Sequence, residues 1–395
     1  MRVLVVHNRY QQRGGEDIVV EREVALLRRY GHEVELWTED NARVETIPRV
    51  RLAAGTIWSR TAHGEIGRRV VAGRVEVVHF HNTLPLISPS GYYGARGAGA
   101  AVVQTLHNYR LVCAAGTLLR DGRPCEDCVG RSPWPAVRHR CYRGSTAASA
   151  TVAAMLVAHR AARTWARAVD AYIALTEFVR DRVLAGGVPR DRVVVKPNFV
   201  EAAPRQAVPA RGAHVLFVGR LSPEKGVATL IDAWRVLGAG APRLLVVGDG
   251  PDAAELSARS AGIAGVALLG AQPRARVAEL MTDAAVLVVP STWYEAFPLV
   301  IVEAFAAGLP VVVSGIGSLA TIVSDGVNGL HTPAGDATAL AAVVRGLMAD
   351  PERRRQLGQG AHATWKARYT PERNHDQLVE VYAAARVRRH GQHAR

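Results

Sequence analysis

The chain reads as an α/β protein built from two Rossmann-like, doubly wound parallel-sheet domains in succession. Three observations predict this. Short apolar runs alternate with helical patterns at 3–7, 33–37, 75–80, 101–106, 170–175 and 192–196. The rhythm restarts at His214, with runs at 215–218, 243–247, 267–269, 285–289 and 311–314. The runs are continuous rather than alternating, as strands covered on both faces require.

Taken in order, the first domain spans 1–200, with helices predicted near 17–30, over 147–169 and from Glu177. The stretch 201–212 is rich in Pro and Ala and has little periodicity, which suits a linker. The second domain spans 213–370. It carries a helix over 297–307, a turn at 326–330 and helices from Asp336 and Pro351. A final helix is expected over 371–388, followed by a mobile tail, 389–395.

A chain of 395 residues, 49% hydrophobic, can bury two domain cores. It has no apolar run of about 18 residues, so no membrane span is predicted. The start, MRVLVVHNRY, runs straight into polar sequence without a cleavage-like site and reads as a first strand. A cytoplasmic location is expected, at most peripheral to the inner face of a membrane. The formal charge of +14 invites nucleic acid or an anionic membrane as partner. The cations are scattered arginines, with only Lys196, Lys225 and Lys366 as lysines, and no aromatic-interleaved basic motif accompanies them. Nucleic acid is therefore not expected as a partner; contact with a membrane surface stays open.

The densest chemistry lies at 285–314: a buried strand, a loop, a helix, then a Gly-Pro break and a second strand. Glu295 precedes the helix and Glu303 sits two turns inside it, with Pro298 in the first turn, where a missing N–H costs nothing. Free amides at a helix start favour an anion. Two acids around such a site suit a ligand with both phosphate and hydroxyls. The plainer alternative makes Glu295 a helix-dipole partner and Glu303 a solvated side chain.

Glu295-Ala-Phe297-Pro298-Leu299-Val-Ile-Val-Glu303, followed by Ala307-Gly308-Leu-Pro310, resembles the signature of retaining glycosyltransferases of the GT-B fold, the glycosyl transferases group 1 family. That family includes sucrose synthase and phosphatidylinositol mannosyltransferase. Ala296 and Pro298 depart from its commonest form, where glycines are frequent, and the change bears on which sugar fits. The resemblance implies transfer of a sugar from a nucleoside diphosphate donor to an acceptor hydroxyl or amine, and a final helix that returns to the first domain. It assigns the donor diphosphate to Arg220 and Lys225, in Gly219-Arg220-Leu-Ser-Pro-Glu-Lys225-Gly226 after a strand. Two cations at a strand end beside a helix start agree with that role. Backbone amides around Phe297, Pro298 and Leu299 would assist. By the same resemblance Glu303 takes ribose hydroxyls, Glu295 takes sugar hydroxyls, and the loop Gly248-Asp249-Gly250 lies near the base.

In the first domain Gly14 and Gly15 follow the first strand, where paired glycines let backbone approach a phosphate or sugar. His81 and His107 each end an apolar strand, and His107 resembles the family's active-site histidine, beside the reacting carbon. The motif at Lys196-Pro-Asn198 ends in Phe199 and Glu201 where the family often has glycine and aspartate, so a role for Glu201 is open.

Cys113, Cys125, Cys128 and Cys141 share one loop-rich segment with the spacing C-x11-C-x2-C-x12-C, a pattern that can present four thiolates to a structural zinc. Free thiols or disulfides are the alternatives, and a cytosolic redox poise disfavours disulfides. The chemistry itself needs no metal, since acid pairs of the DxD kind flanked by strand signals are missing. Two other functions share the architecture: a nucleotide-sugar 2-epimerase, and a non-catalytic nucleotide-sugar-binding protein.

Overall fold

The computed structural model describes residues 1–12, 14–204 and 206–391. They fall into two units: Met1–Leu118, Cys125–Pro197 and the residues from Asn374 on form the first, and Leu119–Pro124 with Asn198–Arg373 form the second.

Six parallel strands make the first unit's sheet: β1 (Arg2–Arg9), β2 (Glu33–Asp40), β3 (Val77–Phe80), β4 (Ala101–Leu106), β7 (Ala171–Ala174) and β8 (Val193–Val195). Their spatial order is β2-β1-β3-β4-β7-β8. Between β4 and β7 a small hairpin, β5 (Leu119–Arg120) and β6 (Arg123–Pro124), turns on Asp121-Gly122. Both turn residues have positive φ, 51° and 74°, the pair that a tight hairpin turn demands.

The second unit repeats the design with β9 (His214–Val218), β10 (Leu244–Val247), β11 (Val266–Leu268), β12 (Ala284–Val289), β13 (Val311–Ser314) and β14 (Gly329–Thr332). Here the order is β11-β10-β9-β12-β13-β14, again all parallel. Every residue of β12 is buried, as is every residue of β13. Each such Val or Leu withdraws enough apolar surface for about 1.5–3 kcal/mol. In both sheets the winding reverses beside the first strand, between β1 and β3 and between β9 and β12. Ligands of doubly wound sheets gather off the carboxyl ends of strands at that point.

Several elements differ from the sequence reading. The expected turn at 326–330 is present over 326–328 and passes at once into β14, because Gly329 admits an approach that no side chain would: a Cβ there would stand 2.4 Å from Val311 O. The helix predicted over 147–169 stops at Ala161, and Arg163 takes a left-handed φ of 53° before the short helix Thr164–Arg167. The stretch 201–212 is packed against the second unit rather than free. Ala207 N–H donates to Ala307 O at 2.7 Å, and the buried Arg354 guanidinium donates to Pro209 O and Ala210 O. The last helix runs from Pro371 to Gly391, three residues beyond the boundary drawn for a mobile tail, whose remaining residues 392–395 lie outside the described ones. From Asn374 on it belongs to the first unit. There Leu378, Val381, Tyr382 and Ala385 join the core of Val3, Val5, Val77 and Val103.

The first unit's core is not wholly apolar. Glu23, on the helix Gly15–Arg29, is buried with Lys196 Nζ at 3.2 Å from one carboxylate oxygen. His79 Nδ1 stands 3.1 Å and His81 Nε2 3.3 Å from the other. His79 also meets the Tyr382 hydroxyl and the Thr105 hydroxyl, each at 2.8 Å. Burial by itself would raise the Glu23 carboxyl; the Lys196 ammonium and His79 overcome it and hold the group well below the usual range. Burial, and next the nearby His79, push His81 down to about 3. One cluster thus ties together the first helix, β3, the residue after β8 and the last helix.

Two expectations follow. Glu23→Ala strands a buried ammonium and should cost the first unit about 3–5 kcal/mol, whereas Glu23→Gln with Lys196→Met should recover most of it; urea unfolding followed on both variants checks this. The second concerns pH. The folded pKa of His81 lies below its unfolded value near 6.5, so acidification protonates the unfolded chain first and stability falls from about pH 6.5 downward. Glu23 adds a further loss as pH drops below about 4.3. The unfolding free energy should decline by up to about 1.4 kcal/mol per pH unit through His81 alone, and His81→Gln should flatten that slope.

Candidate active site

At the carboxyl ends of β9 and β12, the switch point of the second sheet, two loops are laced together. Thr292 N–H donates to Glu224 O at 2.9 Å. The contact is possible because Gly226, φ 71°, has no side chain: a Cβ there would stand 2.0 Å from Pro290 O. This register brings Lys225 and Glu295 together across 70 residues of sequence. The ammonium lies 2.8 Å from both carboxylate oxygens, and Ser291 Oγ donates to one of them at 2.6 Å. Glu295 is nearly buried, its side chain 7% exposed, while Lys225 retains 23%. The ammonium also sits 5.7 Å from the centre of the Trp293 ring. The plainer reading of Glu295 as a dipole partner alone is superseded by this pairing.

Arg220 follows β9 in the same loop and is exposed, with no side-chain hydrogen bond or ion pair among the described residues. The loop after β10 closes on it from the other side. Leu221 N–H donates to Asp249 O at 2.9 Å, and Gly250 passes so near that a Cβ would meet Leu221 O at 2.2 Å. Gly248, φ 141°, likewise lies against Gly219 O. Gly248 and Gly250 are thus required by backbone packing, and Asp249 is exposed beside them.

The helix predicted from Phe297 begins two residues later, at Leu299, with Pro298 extended at its N-cap. Pro298 has no N–H, so it cannot be a backbone donor; the amides left free at this helix start are those of Leu299 and Val300. Phe297 turns its ring edge-on to Tyr369, centroids 6.1 Å apart. Glu303 lies on the flank of this helix, where Arg274 donates to it at 3.2 Å. Burial raises its carboxyl despite the guanidinium.

In the first unit, the loops after β1 and β3 flank the corresponding switch point. Gly14 caps the helix Gly15–Arg29, and its amide is already taken by the Asp17 carboxylate at 2.8 Å. Asp17 also accepts from His7 Nε2 at 2.9 Å, and burial pushes neighbouring Glu16 up to about 7. With two acids in its first turn, this helix start is no phosphate cradle. What Gly14 offers is space, since a Cβ there would meet nothing nearer than the Asp17 carboxylate at 4.0 Å. His107, after β4, bonds through Nε2 to His81 Nδ1 at 2.8 Å, and burial holds it well below its ordinary pKa. Glu23 can only accept, which assigns the ring proton of His81 to Nε2 and leaves its Nδ1 to accept from His107. The free Nδ1 of His107 is then an acceptor, suited to a hydroxyl donor.

The four cysteines form no disulfide; Cys113 and Cys128 are buried and the other two partly so. Burial, and next the Cys113 thiol, push Cys128 up to about 11. Among the described residues only Glu23, His79 and His81 form a set of three whose ligand atoms lie within 4.8 Å of one another, and there the Lys196 ammonium already supplies the cation. A zinc at 113–141 would require the four sulfurs to be drawn together at about 2.3 Å from the ion. The segment has other supports: the β5–β6 hairpin, Cys125 N–H to Leu118 O at 2.8 Å, and Arg110 and Arg160 donating to Ala114 O and Arg131 O.

Glu23, His79 and Lys196 were not singled out from sequence as a site. The signal available was an ionisable residue inside each of several buried apolar patterns.

Residues 201–364 match the family Glycosyl transferases group 1, and residues 13–203 match Glycosyltransferase Family 4. The phosphatidyl-myo-inositol mannosyltransferase of Mycobacterium leprae is 30% identical over 336 residues, covering 82% of this chain and 78% of that protein. The fold is similar to that of Anabaena HepE in complex with UDP-glucose, with a TM-score of 0.67 at 18% identity over 97% of this chain and 99% of the other. The chain spans only 21% of the length of an exopolysaccharide phosphotransferase of Streptomyces coelicolor, to which it is 34% identical over 204 residues. It spans 64% of the alpha-maltose-1-phosphate synthase of Mycolicibacterium smegmatis, at 32% identity. Two parallel sheets, a cationic loop at the second switch point and these matches together place the chain in the glycosyl transferases group 1 family of GT-B glycosyltransferases.

Proposed function

We propose that this glycosyltransferase works with retention, moving a sugar from a nucleoside diphosphate donor to an acceptor hydroxyl or amine. The observation that carries the reading is the bond between Lys225 and Glu295 at the second sheet's switch point, beside the unpaired Arg220. Phosphate oxygens of the donor meet both cations there. The charge accounting gives them different parts. Glu295 already balances Lys225, so Arg220 supplies the net positive charge and Lys225 a placed donor. The amides of Leu299 and Val300 add the positive end of a helix.

Glu295, held by Lys225 and Ser291, takes hydroxyls of the transferred sugar. Glu303 takes the ribose hydroxyls, and Asp249 with its two glycines borders the base. As the glycosidic bond lengthens, positive charge develops on the sugar and negative charge on the departing diphosphate. Lys225 and Arg220 stabilise the latter, the term in which preorganised groups usually contribute most. In the first unit, His107 Nδ1 is an acceptor for a substrate hydroxyl, and Gly14 and Gly15 are proposed to admit substrate beside it. HepE, a neighbour in fold crystallised with UDP and glucose, supports a nucleotide sugar as donor.

Lys225→Ala should lower kcat by roughly 10²–10³, about 2.7–4 kcal/mol in barrier. Release of nucleoside diphosphate from UDP- and GDP-sugars, with and without acceptor extracts, provides the assay. Transfer undiminished by the substitution would remove Lys225 from the leaving-group role. A sugar altered with donor alone would point to a 2-epimerase instead.

A further inference from the structure

Transfer to a hydroxyl frees a proton, and Lys225 and Arg220, cations without a lone pair, cannot take it. The first unit holds a set of titratable side chains that donor binding leaves unused. They stand at the carboxyl end of β1, beside the switch point of its sheet, where ligands of doubly wound sheets gather. His7 lies in the buried part of β1, Tyr10 follows the strand, and Glu16 and Asp17 occupy the first turn of the helix Gly15–Arg29. Asp17 is well satisfied: its oxygens accept from His7 Nε2 at 2.9 Å and from the Gly14 amide at 2.8 Å. Burial alone would raise its carboxyl, but those bonds hold it below the ordinary value.

Glu16 is placed differently. Its side chain is 9% exposed, and Oε2 accepts from the Tyr10 hydroxyl at 2.8 Å. Oε1 faces His7 Nδ1 across 3.9 Å; both atoms are buried, and among the described residues neither has a hydrogen-bond partner. Buried polar atoms are rarely left so, and each case calls for a reason. A mere partner for the helix dipole would keep its carboxylate in water. Burial instead lifts Glu16 to about 7, against the pull of His7 and of the Tyr10 hydroxyl. The other charged groups that face it are Asp17 on the same helix and Arg110 after β4. Two neighbouring carboxyls whose environments drive them apart divide the roles of fixed charge and proton carrier. Tyr10 is 38% exposed, with Asn108 as a further neighbour of its hydroxyl, so the way from solvent to Glu16 runs through that hydroxyl.

We propose that Glu16 receives the proton of the acceptor hydroxyl and that the Tyr10 hydroxyl hands it on. The assignment rests on the glycosyl-transfer reading and makes the acceptor's reacting group a hydroxyl. The acceptor oxygen bonds to the anomeric carbon as the bond to the diphosphate oxygen breaks, and that electron pair leaves with the diphosphate. The acceptor's proton passes to Tyr10 Oη while the proton of Tyr10 passes to Glu16 Oε2. Tyr10 ends unchanged and Glu16 ends as a neutral acid. Asp17 stays ionised throughout and, by taking the Nε2 proton, leaves Nδ1 of a neutral His7 as a lone pair facing Glu16. A carboxyl that turns its proton to Oε1 needs only about 1 Å of closure to donate to that lone pair. The two orphaned atoms of the resting site are thus the donor and acceptor of the protonated one.

The test has two arms, both on the full chain. Without donor or acceptor, infrared difference spectra should show a carboxyl that titrates near pH 7 and that vanishes in Glu16→Gln; its absence from wild type would overturn the proposal. In the second arm, nucleoside diphosphate release from UDP- and GDP-sugars with acceptor extracts is followed against pH. Wild-type kcat/KM should decline as pH falls below about 7, because the carboxylate is the active form. Glu16→Gln should lower kcat roughly 10²–10⁴-fold and abolish that decline, with nucleoside diphosphate binding unchanged. Tyr10→Phe, which deletes one hydroxyl from a partly exposed ring, should lower kcat as well. A decline that persists in Glu16→Gln belongs to another group, His7 first, and would overturn the proposal. So would a rate that falls above pH 7 instead, or Tyr10→Phe as active as wild type. Release diminished by Lys225→Ala but not by Glu16→Gln counts against this proposal alone; release diminished by Glu16→Gln but not by Lys225→Ala counts against the leaving-group reading alone. No release from wild type would remove both.

Discussion

The second unit's chemistry depends on one bidentate contact, the Lys225 ammonium held between the two oxygens of Glu295. An ammonium is a compact point charge on a flexible stem, and it can sit symmetrically on a carboxylate while leaving a hydrogen to offer elsewhere. The surrounding structure serves that contact. Gly226 lets the loop after β9 touch the loop after β12, and Glu224 O takes the Thr292 amide. Ser291 fixes the carboxylate. Each loop leaves a neighbouring central strand of a parallel sheet, so the pair inherits the rigidity of β9 and β12.

The first unit solves a different problem with the same kind of bond. Glu23 and Lys196 are both buried, and burial of two charges costs more than their attraction returns unless further hydrogen bonds satisfy them. His79 and His81 on one carboxylate oxygen, with Tyr382 and Thr105 beyond, provide a polar set inside an apolar core. A consequence reaches the candidate site: because Glu23 fixes the tautomer of His81, His81 in turn fixes that of His107. The residue expected to face the sugar is thus poised by a carboxylate two histidines away.

What the sequence made legible was whatever local pattern encodes. The central strands were readable because parallel strands buried on both faces are unbroken apolar runs. β14 was not, since Gly-Leu-His-Thr at a sheet edge carries no such run and Gly329 reads as a turn. The break at Arg163 was hidden because no glycine or proline marks it. The helix start was misplaced by two residues, a consequence of Pro298 fitting the N-cap as well as the first turn. Among the candidate site residues, Arg220, Lys225, Glu295 and Glu303 were legible as motifs. That Lys225 and Glu295 bond to each other was out of reach, for their partnership is set by the order of strands rather than by anything near either residue. A cavity of about 680 Å³ beyond β2, lined in part by Arg51 and Arg60, was missed for the same reason, its walls being drawn from four separate stretches.

The same reasoning separates the roles of cation in this arginine-rich chain. An arginine paired with a carboxylate on a surface contributes little, as in Arg276 with Glu279 or Arg355 with Glu352. Function is to be sought where the balance fails. Among the cationic residues described around the second switch point, Arg220 has no carboxylate; around the cavity beyond β2, Arg51 and Arg60 have none. An unpaired guanidinium in open water gains nothing from its position, but beside a helix start or an apolar wall it raises the local concentration of anions. The overall charge of the chain says little about its partners; the few positions at which charge is left uncompensated next to organised structure say which chemistry each unit is built to meet.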